Sequence, residues 1–205
     1  MPRSMSEPRL LLASGSRYRL EMLSRLGLPV ESVTPRLDER PREAERPERY
    51  VERLAIAKAR FGDDWLRETD RTPRVTHVIG SDQTAWVDGV RFGKPGSFES
   101  ARRQLLLASG RRVDFLTAVA LLRAGQHSPA VETVATAAVF RTLTETEVER
   151  YLEREMPYDC AGGFKVEGLG ISLFERIESP DPTALIGLPL IALAALLRQS
   201  GVPVP

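Results

Sequence analysis

The residue best placed to do chemistry is Asp82, which follows the apolar stretch of the segment Val78-Ile-Gly-Ser-Asp-Gln-Thr84. An apolar strand that delivers a carboxylate at its C-terminal end puts it where open α/β sheets bind ligands. There it can hold a divalent cation and polarise water for attack on phosphorus. The competing reading is an aspartate that merely caps the turn after the strand. Three lysines stand against 26 arginines in the whole chain, and each lysine sits in a dense polar cluster. A compact, flexible ammonium suits positions where a planar guanidinium does not. Lys58 falls on an expected helix after Asp38-Glu39, at the margin of the apolar face of Tyr50, Leu54, Ala57 and Phe61. From that margin it either snorkels to solvent or turns inward. Lys94 follows in Gly93-Lys-Pro95, and Lys165 stands two residues before Glu167 in Cys160-Ala-Gly-Gly-Phe-Lys-Val-Glu-Gly-Leu-Gly170.

A second kind of chemistry is suggested by Leu12-Ala-Ser-Gly-Ser-Arg-Tyr-Arg19. Small residues between a strand and a helix let backbone N–H groups approach a phosphate at the helix N-terminus. Ser14 and Ser16 add hydroxyls, and Arg19 can make a bidentate contact to phosphate oxygens. The pattern has no Gly-Lys-Ser/Thr, so it is not a Walker loop, and an ordinary capped helix start looks the same. Three cations with several carboxylates would suit a polyanion and its metal. His77 and His127 have no triad or metal-set companions in the sequence, and Cys160 reads as an inert thiol.

Positioning these residues requires an alternation of strands and helices. The pattern predicts strands at 9–13, 30–35, 76–81, 113–122, 131–140 and 171–177. Helices are predicted at 17–26, from Pro47 to Phe61, from the Ser97 cap to about Gly110, from the Thr144–Glu147 capping box to Arg154, and at 189–199. Val87-Asp-Gly-Val90 carries a hairpin signal, and 113–122 and 131–140 are expected as antiparallel neighbours across Gly125. The class is therefore α/β with a mixed sheet. Residues 1–8 read as a tail and 9–205 as one continuous domain.

Bulk properties narrow the partners. With 205 residues, 42% hydrophobic composition and a net charge of +1, the chain can bury a large core and shows no one-signed stripe for nucleic acid. The single cysteine fits a reducing compartment, so a cytoplasmic location is expected. The longest apolar run, 188–197, contains Pro189 and falls short of the roughly 20 residues a membrane span needs. No membrane partner is expected.

Taken in order, Leu12-Ala-Ser-x-Ser16 with Arg19, Asp38-Glu39, Leu54-Ala-x-x-Lys58-Ala, Gly80-Ser-Asp82, Gly93-Lys-Pro95, Ala161-Gly-x-Phe-Lys165-Val-Glu167-Gly and Gly187-Leu-Pro189 resemble the Maf family of nucleoside triphosphate pyrophosphatases. The likeness runs from about Leu10 to Gly201. It implies a twisted mixed sheet with flanking helices forming two lobes around a central cleft, an arrangement shared with inosine triphosphatase-like proteins. It further implies hydrolysis between the α- and β-phosphates, a divalent cation (Mg²⁺ or Mn²⁺) and a homodimer. By the same resemblance, Asp82 is the proton acceptor and Glu39 joins it at the metal. Ser14, Ser16, Arg19, Lys58, Lys94 and Lys165 bind phosphate, and Tyr18, Gln83 and Glu167 select the base. Ser81-Asp82-Gln83 is similar to the branch acting on 7-methyl-GTP. The sister branch, acting on dTTP and UTP, typically has Asp-Thr there. The chain departs from its branch at Tyr18, where Trp is usual, and at 179–186, where Gly and Asn are frequent. A dTTP/UTP enzyme and a non-catalytic nucleotide-binding regulator of division are the competing readings.

Overall fold

The computed structural model describes residues 9–70 and 75–204; the expected tail at 1–8 lies outside them. Among the described residues there are seven strands and five α-helices. They run in the order β1 (Leu10–Ala13), α1 (Arg17–Ser24), β2 (Val30–Val33), α2 (Pro47–Glu68), β3 (His77–Val87), β4 (Val90–Phe92), α3 (Phe98–Ala108), β5 (Arg112–Arg123), β6 (Ala130–Phe140), α4 (Glu145–Glu155), β7 (Phe174–Glu178) and α5 (Leu190–Gln199). The sheet order is β2-β1-β3-β5-β6-β7, with β4 on β3. β1 is parallel to both β2 and β3, whereas β3–β4 and β6–β7 are antiparallel, so the sheet is mixed as expected. β5 and β6 are neighbours joined by the short 124–129 connection, which is too short for a parallel crossover.

Local chemistry explains several element ends. Ser16 caps α1 by accepting from the Arg19 amide, and Ser97 caps α3 in the same way. Thr144 and Glu147 form the reciprocal capping box of α4.

Three elements differ from the sequence expectation. α2 continues past Phe61 to Glu68. Gly62 does not end it, because the helix lies so close to the sheet there that a Cβ on Gly62 would come 2.6 Å from the Val78 side chain. β3 does not stop at Ser81 but continues to Val87, its distal half held by the β4 hairpin. Asp82 is therefore within a long strand rather than at its tip. Its parallel neighbour β1 nevertheless ends at Ala13, opposite Gly80, so Asp82 stands beyond the carboxyl end of that parallel pair. Finally, Leu169–Leu173 is a 3-10 turn, and the strand expected from 171 begins only at Phe174.

Two compact units divide the chain. The first holds the described residues up to Asp82, Ala118–Thr133 and the stretch from Gly187. The second holds Gln83–Thr117 and Val134–Ile186. In the first unit α2 packs its Val51, Leu54, Ala55 and Ala59 face against the wholly apolar β1 and the start of β3. In the second, Phe115, Phe140, Phe164 and Phe174 meet edge to face at centroid distances of 4.6–5.7 Å, inside a core that also takes in Leu105, Val148 and Leu152. No helix among the described residues is long and apolar enough to cross a membrane.

Candidate active site

In the first unit the chemistry gathers around the ammonium of Lys58. The approach of α2 to β3 brings it there. A Cβ on Gly80 would lie 2.1 Å from the Ala55 carbonyl oxygen and 2.6 Å from the Ala59 nitrogen, so only glycine admits this packing. With the helix that close, Lys58 turns inward rather than snorkelling: it is only 5% exposed. Its Nζ donates to Asp82 Oδ1 at 2.6 Å and stands 2.8 Å from Glu39 Oε1.

Glu39 comes from the irregular 37–46 segment, which α2 itself holds. The Tyr50 hydroxyl donates to the Glu39 carbonyl, and Arg53 donates to both carboxylate oxygens of Glu45 and to the Arg40 carbonyl. Asp38, by contrast, is taken by Arg40 at the surface, and that hydrogen bond holds its carboxyl below the usual range.

Burial pushes the Asp82 carboxyl up, against the opposing pull of Lys58 and then Arg19. A carboxylate so poised is a better base than an exposed one. Arg19 feels the reciprocal influence: burial lowers its pKa while Asp82 and Glu39 oppose the shift. Its Nε donates to the Gly187 carbonyl at 2.7 Å and its Nη1 to the Ser81 carbonyl at 2.9 Å. The Ser81 hydroxyl donates to the same Gly187 oxygen at 2.9 Å. Ser14 Oγ accepts from the Ser16 amide, and Arg19 Nη1 reaches it at 3.5 Å. The turn expected to cradle phosphate is thus cross-braced to β3, with part of the Arg19 fork engaged by protein carbonyls. Tyr18 lies on α1 with the Arg17 guanidinium 4.8 Å above its ring, and Arg17 also donates to its hydroxyl.

The second unit carries the rest of the expected set. The Gln83 amide nitrogen contacts Thr117 Oγ1 at 3.0 Å, the Ala184 carbonyl at 2.9 Å and the Leu185 carbonyl at 3.2 Å. Lys94 is exposed, on a turn fastened to the 157–163 segment by Gly96 N–H to the Tyr158 carbonyl and Gly162 N–H to the Gly93 carbonyl. Lys165, half-buried, donates its ammonium to the Glu155 carbonyl at 3.1 Å and lies 3.6 Å from the Glu155 carboxylate. Glu155 also accepts from the Leu169 amide, and Glu167 is exposed.

Three participants escaped sequence reasoning. Glu155 sits in the charged run Glu-Arg-Glu155, which looks like a solvated helix face. Thr117 is one polar residue in an apolar strand. Ser81 lay within the recognised motif, but its acceptor at Gly187 is distant in sequence.

Among the described residues no cluster of three or more His, Cys, Asp or Glu forms a metal cage. The donor set on offer is two carboxylates aimed at one nitrogen. That fits a hard, oxygen-seeking ion that takes one or two carboxylates and fills its remaining positions with substrate phosphates and water.

Comparison with known proteins agrees with the motif order. The family model described as "Maf-like protein" matches residues 9–200. A 7-methyl-GTP pyrophosphatase of Burkholderia thailandensis is 50% identical over 198 residues, covering 97% of this chain and 90% of that protein. A protein of the same name from Xanthomonas axonopodis pv. citri is 49% identical over 203 residues, covering 97% and 100% respectively. Among solved structures, the Ham1 protein of Staphylococcus aureus aligns with a TM-score of 0.44 and 17% identity over 64% of this chain and 71% of its own.

Proposed function

The chain belongs to the Maf family, and from that premise we propose that it is a nucleoside triphosphate pyrophosphatase acting on 7-methyl-GTP, releasing 7-methyl-GMP and pyrophosphate. The observation that supports this reading is the buried Lys58 ammonium shared by Asp82 and Glu39. Cation and carboxylates in one place can bind a polyanion and activate water beside it. Relatives about half identical over nearly the whole chain carry that enzyme's name.

Asp82 is the proton acceptor. Lys58 engages its Oδ1, and Oδ2 takes the proton from water as the water oxygen bonds to phosphorus and the α–β bridging bond breaks. Lys58, Arg19, Lys94 and Lys165, with the Ser14 and Ser16 hydroxyls, offset the charge of the triphosphate and of the departing pyrophosphate. Such electrostatic positioning supplies most of the rate in phosphoryl chemistry. Asp82 and Glu39 would hold Mg²⁺ or Mn²⁺, which when bound neutralises phosphate oxygens and orients them. Tyr18, Gln83 and Glu167 select the base. The proposal extends to a cytoplasmic homodimer whose ligand is a free nucleotide rather than a nucleic acid, in keeping with the net charge of +1.

A panel of 7-methyl-GTP, GTP, ATP, dTTP and UTP, assayed with Mg²⁺ or Mn²⁺ for pyrophosphate and orthophosphate, tests the reading. Pyrophosphate release, fastest with 7-methyl-GTP and abolished by a chelator, is expected. Preference for dTTP or UTP would assign the chain to the sister specificity. Metal-independent binding without turnover would make it a nucleotide-binding regulator.

A further inference from the structure

Thr117 has no place in the reading so far, yet it is completely buried and engaged on two sides. Its Oγ1 lies 3.0 Å from the Ala184 carbonyl oxygen and 3.0 Å from the Gln83 amide nitrogen. A hydroxyl has one hydrogen, and a carbonyl oxygen can only accept. The Thr117 proton therefore goes to Ala184, and Thr117 faces Gln83 as an acceptor. The carbonyls of Ala184 and Leu185 accept from the same amide nitrogen. Reversing the Gln83 amide would set its oxygen against two carbonyl oxygens and the lone pair of a hydroxyl already committed elsewhere.

The turn that supplies those carbonyls is itself stiff. Asp181, 2% exposed, accepts at its carboxylate from both the amide and the hydroxyl of Thr183, and the Ala184 amide donates to the Asp181 carbonyl. Ser179 donates to that same Asp181 carbonyl and shares a hydrogen bond with Thr136.

From this network we infer that Thr117 is a positioning residue for base selection: it locks the Gln83 amide so that only the carbonyl end, Oε1, is offered to the substrate. The inference rests on the pyrophosphatase reading and on the role assigned there to Gln83. An acceptor-only side chain favours a purine edge bearing ring N–H and amino donors, as guanine does. It repels the bare ring nitrogen of adenine, and a carbonyl dipole also suits the positive charge of an N7-methylated guanine. Freed of its lock, the amide can turn and offer N–H to adenine instead. Specificity then depends on Thr117, the last residue of the second unit's β5 segment, and not on Gln83 alone.

Thr117→Val removes the hydroxyl at nearly constant volume. It should raise KM for 7-methyl-GTP about fivefold, the scale of one net hydrogen bond, and lower the preference for 7-methyl-GTP over ATP, while kcat changes far less. Thr117→Ser, which keeps the hydroxyl, should restore both KM and the preference. Side-chain amide NMR of Gln83 gives a readout independent of turnover: slow proton exchange in the wild type and the Ser variant, fast exchange in the Val variant. An unchanged substrate ranking in a folded Val variant overturns the inference, as does equal Gln83 exchange in all three proteins. If the wild type cleaves no triphosphate, the pyrophosphatase reading fails together with the base-selecting role, and the NMR comparison then decides the amide lock alone.

Discussion

Two of the three lysines sit beside a glycine that touches backbone, one in each unit, and the surroundings differ. In the first unit, Gly80 abuts the middle of α2, a 22-residue helix whose peptide groups are already committed to one another, and Lys58 is pressed between two carboxylates. In the second, a Cβ on Gly170 would lie 2.4 Å from the Lys165 carbonyl oxygen, within a run of short 3-10 turns. There the lysine's nearest acceptor is a backbone carbonyl, with the Glu155 carboxylate farther off. The first ammonium is positioned by the packing of large regular elements. The second is positioned by a local loop, in which a Cβ would also meet backbone, but backbone of short 3-10 turns rather than of a long helix.

The largest blow to the first arrangement should be Asp82→Asn, which keeps size but removes the base and one charge. Turnover is expected to fall by roughly 10²-fold or more; activity near wild type in a steady-state assay would remove Asp82 from the role of proton acceptor. Next come the two glycines as a pair. Gly80→Ala should destabilise by about 3 kcal/mol, because the helix must move as a body, whereas Gly170→Ala should cost less, about 2 kcal/mol, because the backbone it meets belongs to short 3-10 turns. Urea unfolding of both variants checks the ordering, and equal losses would erase the contrast drawn here. The smallest effects are on pH dependence. Burial raises the Asp82 pKa and Lys58 is the main opposing influence, so Lys58→Met should move the acidic limb of the residual activity to higher pH. Glu39 contributes the weakest upward push and its side chain is 53% exposed, so Glu39→Gln should move the limb slightly the other way. Shifts of the same sign in the two pH–rate profiles would break this account.

Much of the framework was visible in the sequence. Caps and hairpin residues marked the starts of α1, α3 and α4 and the β3–β4 turn, because each relies on side chains adjacent to the bonds they make. Where the reading stopped short, tertiary packing had overridden local signals. The helix from Pro47 was expected to reach only Phe61, yet it continues through Gly62, which packs against Val78, and Asp63, which is held by the Gly125 amide and by Arg67. Ser81-Asp82 looked like a turn after a strand, yet the strand continues because the hairpin beyond it pairs back. The site was legible where rarity marked it, as with Lys58. It was silent where a common residue acquires meaning only from a distant partner, as with Glu155 beside Lys165 and Thr117 beside Gln83.

The bond from Arg19 to the Gly187 carbonyl joins residues 168 positions apart. During synthesis the ribosome must release almost the entire chain before that brace can close. The second unit's residues, ending at Ile186, emerge while the first is still missing its last segment. Contacts of such sequence separation are slow to form. The bracing of the 14–19 turn against Gly187 therefore cannot be completed until the last segment of the chain has been released.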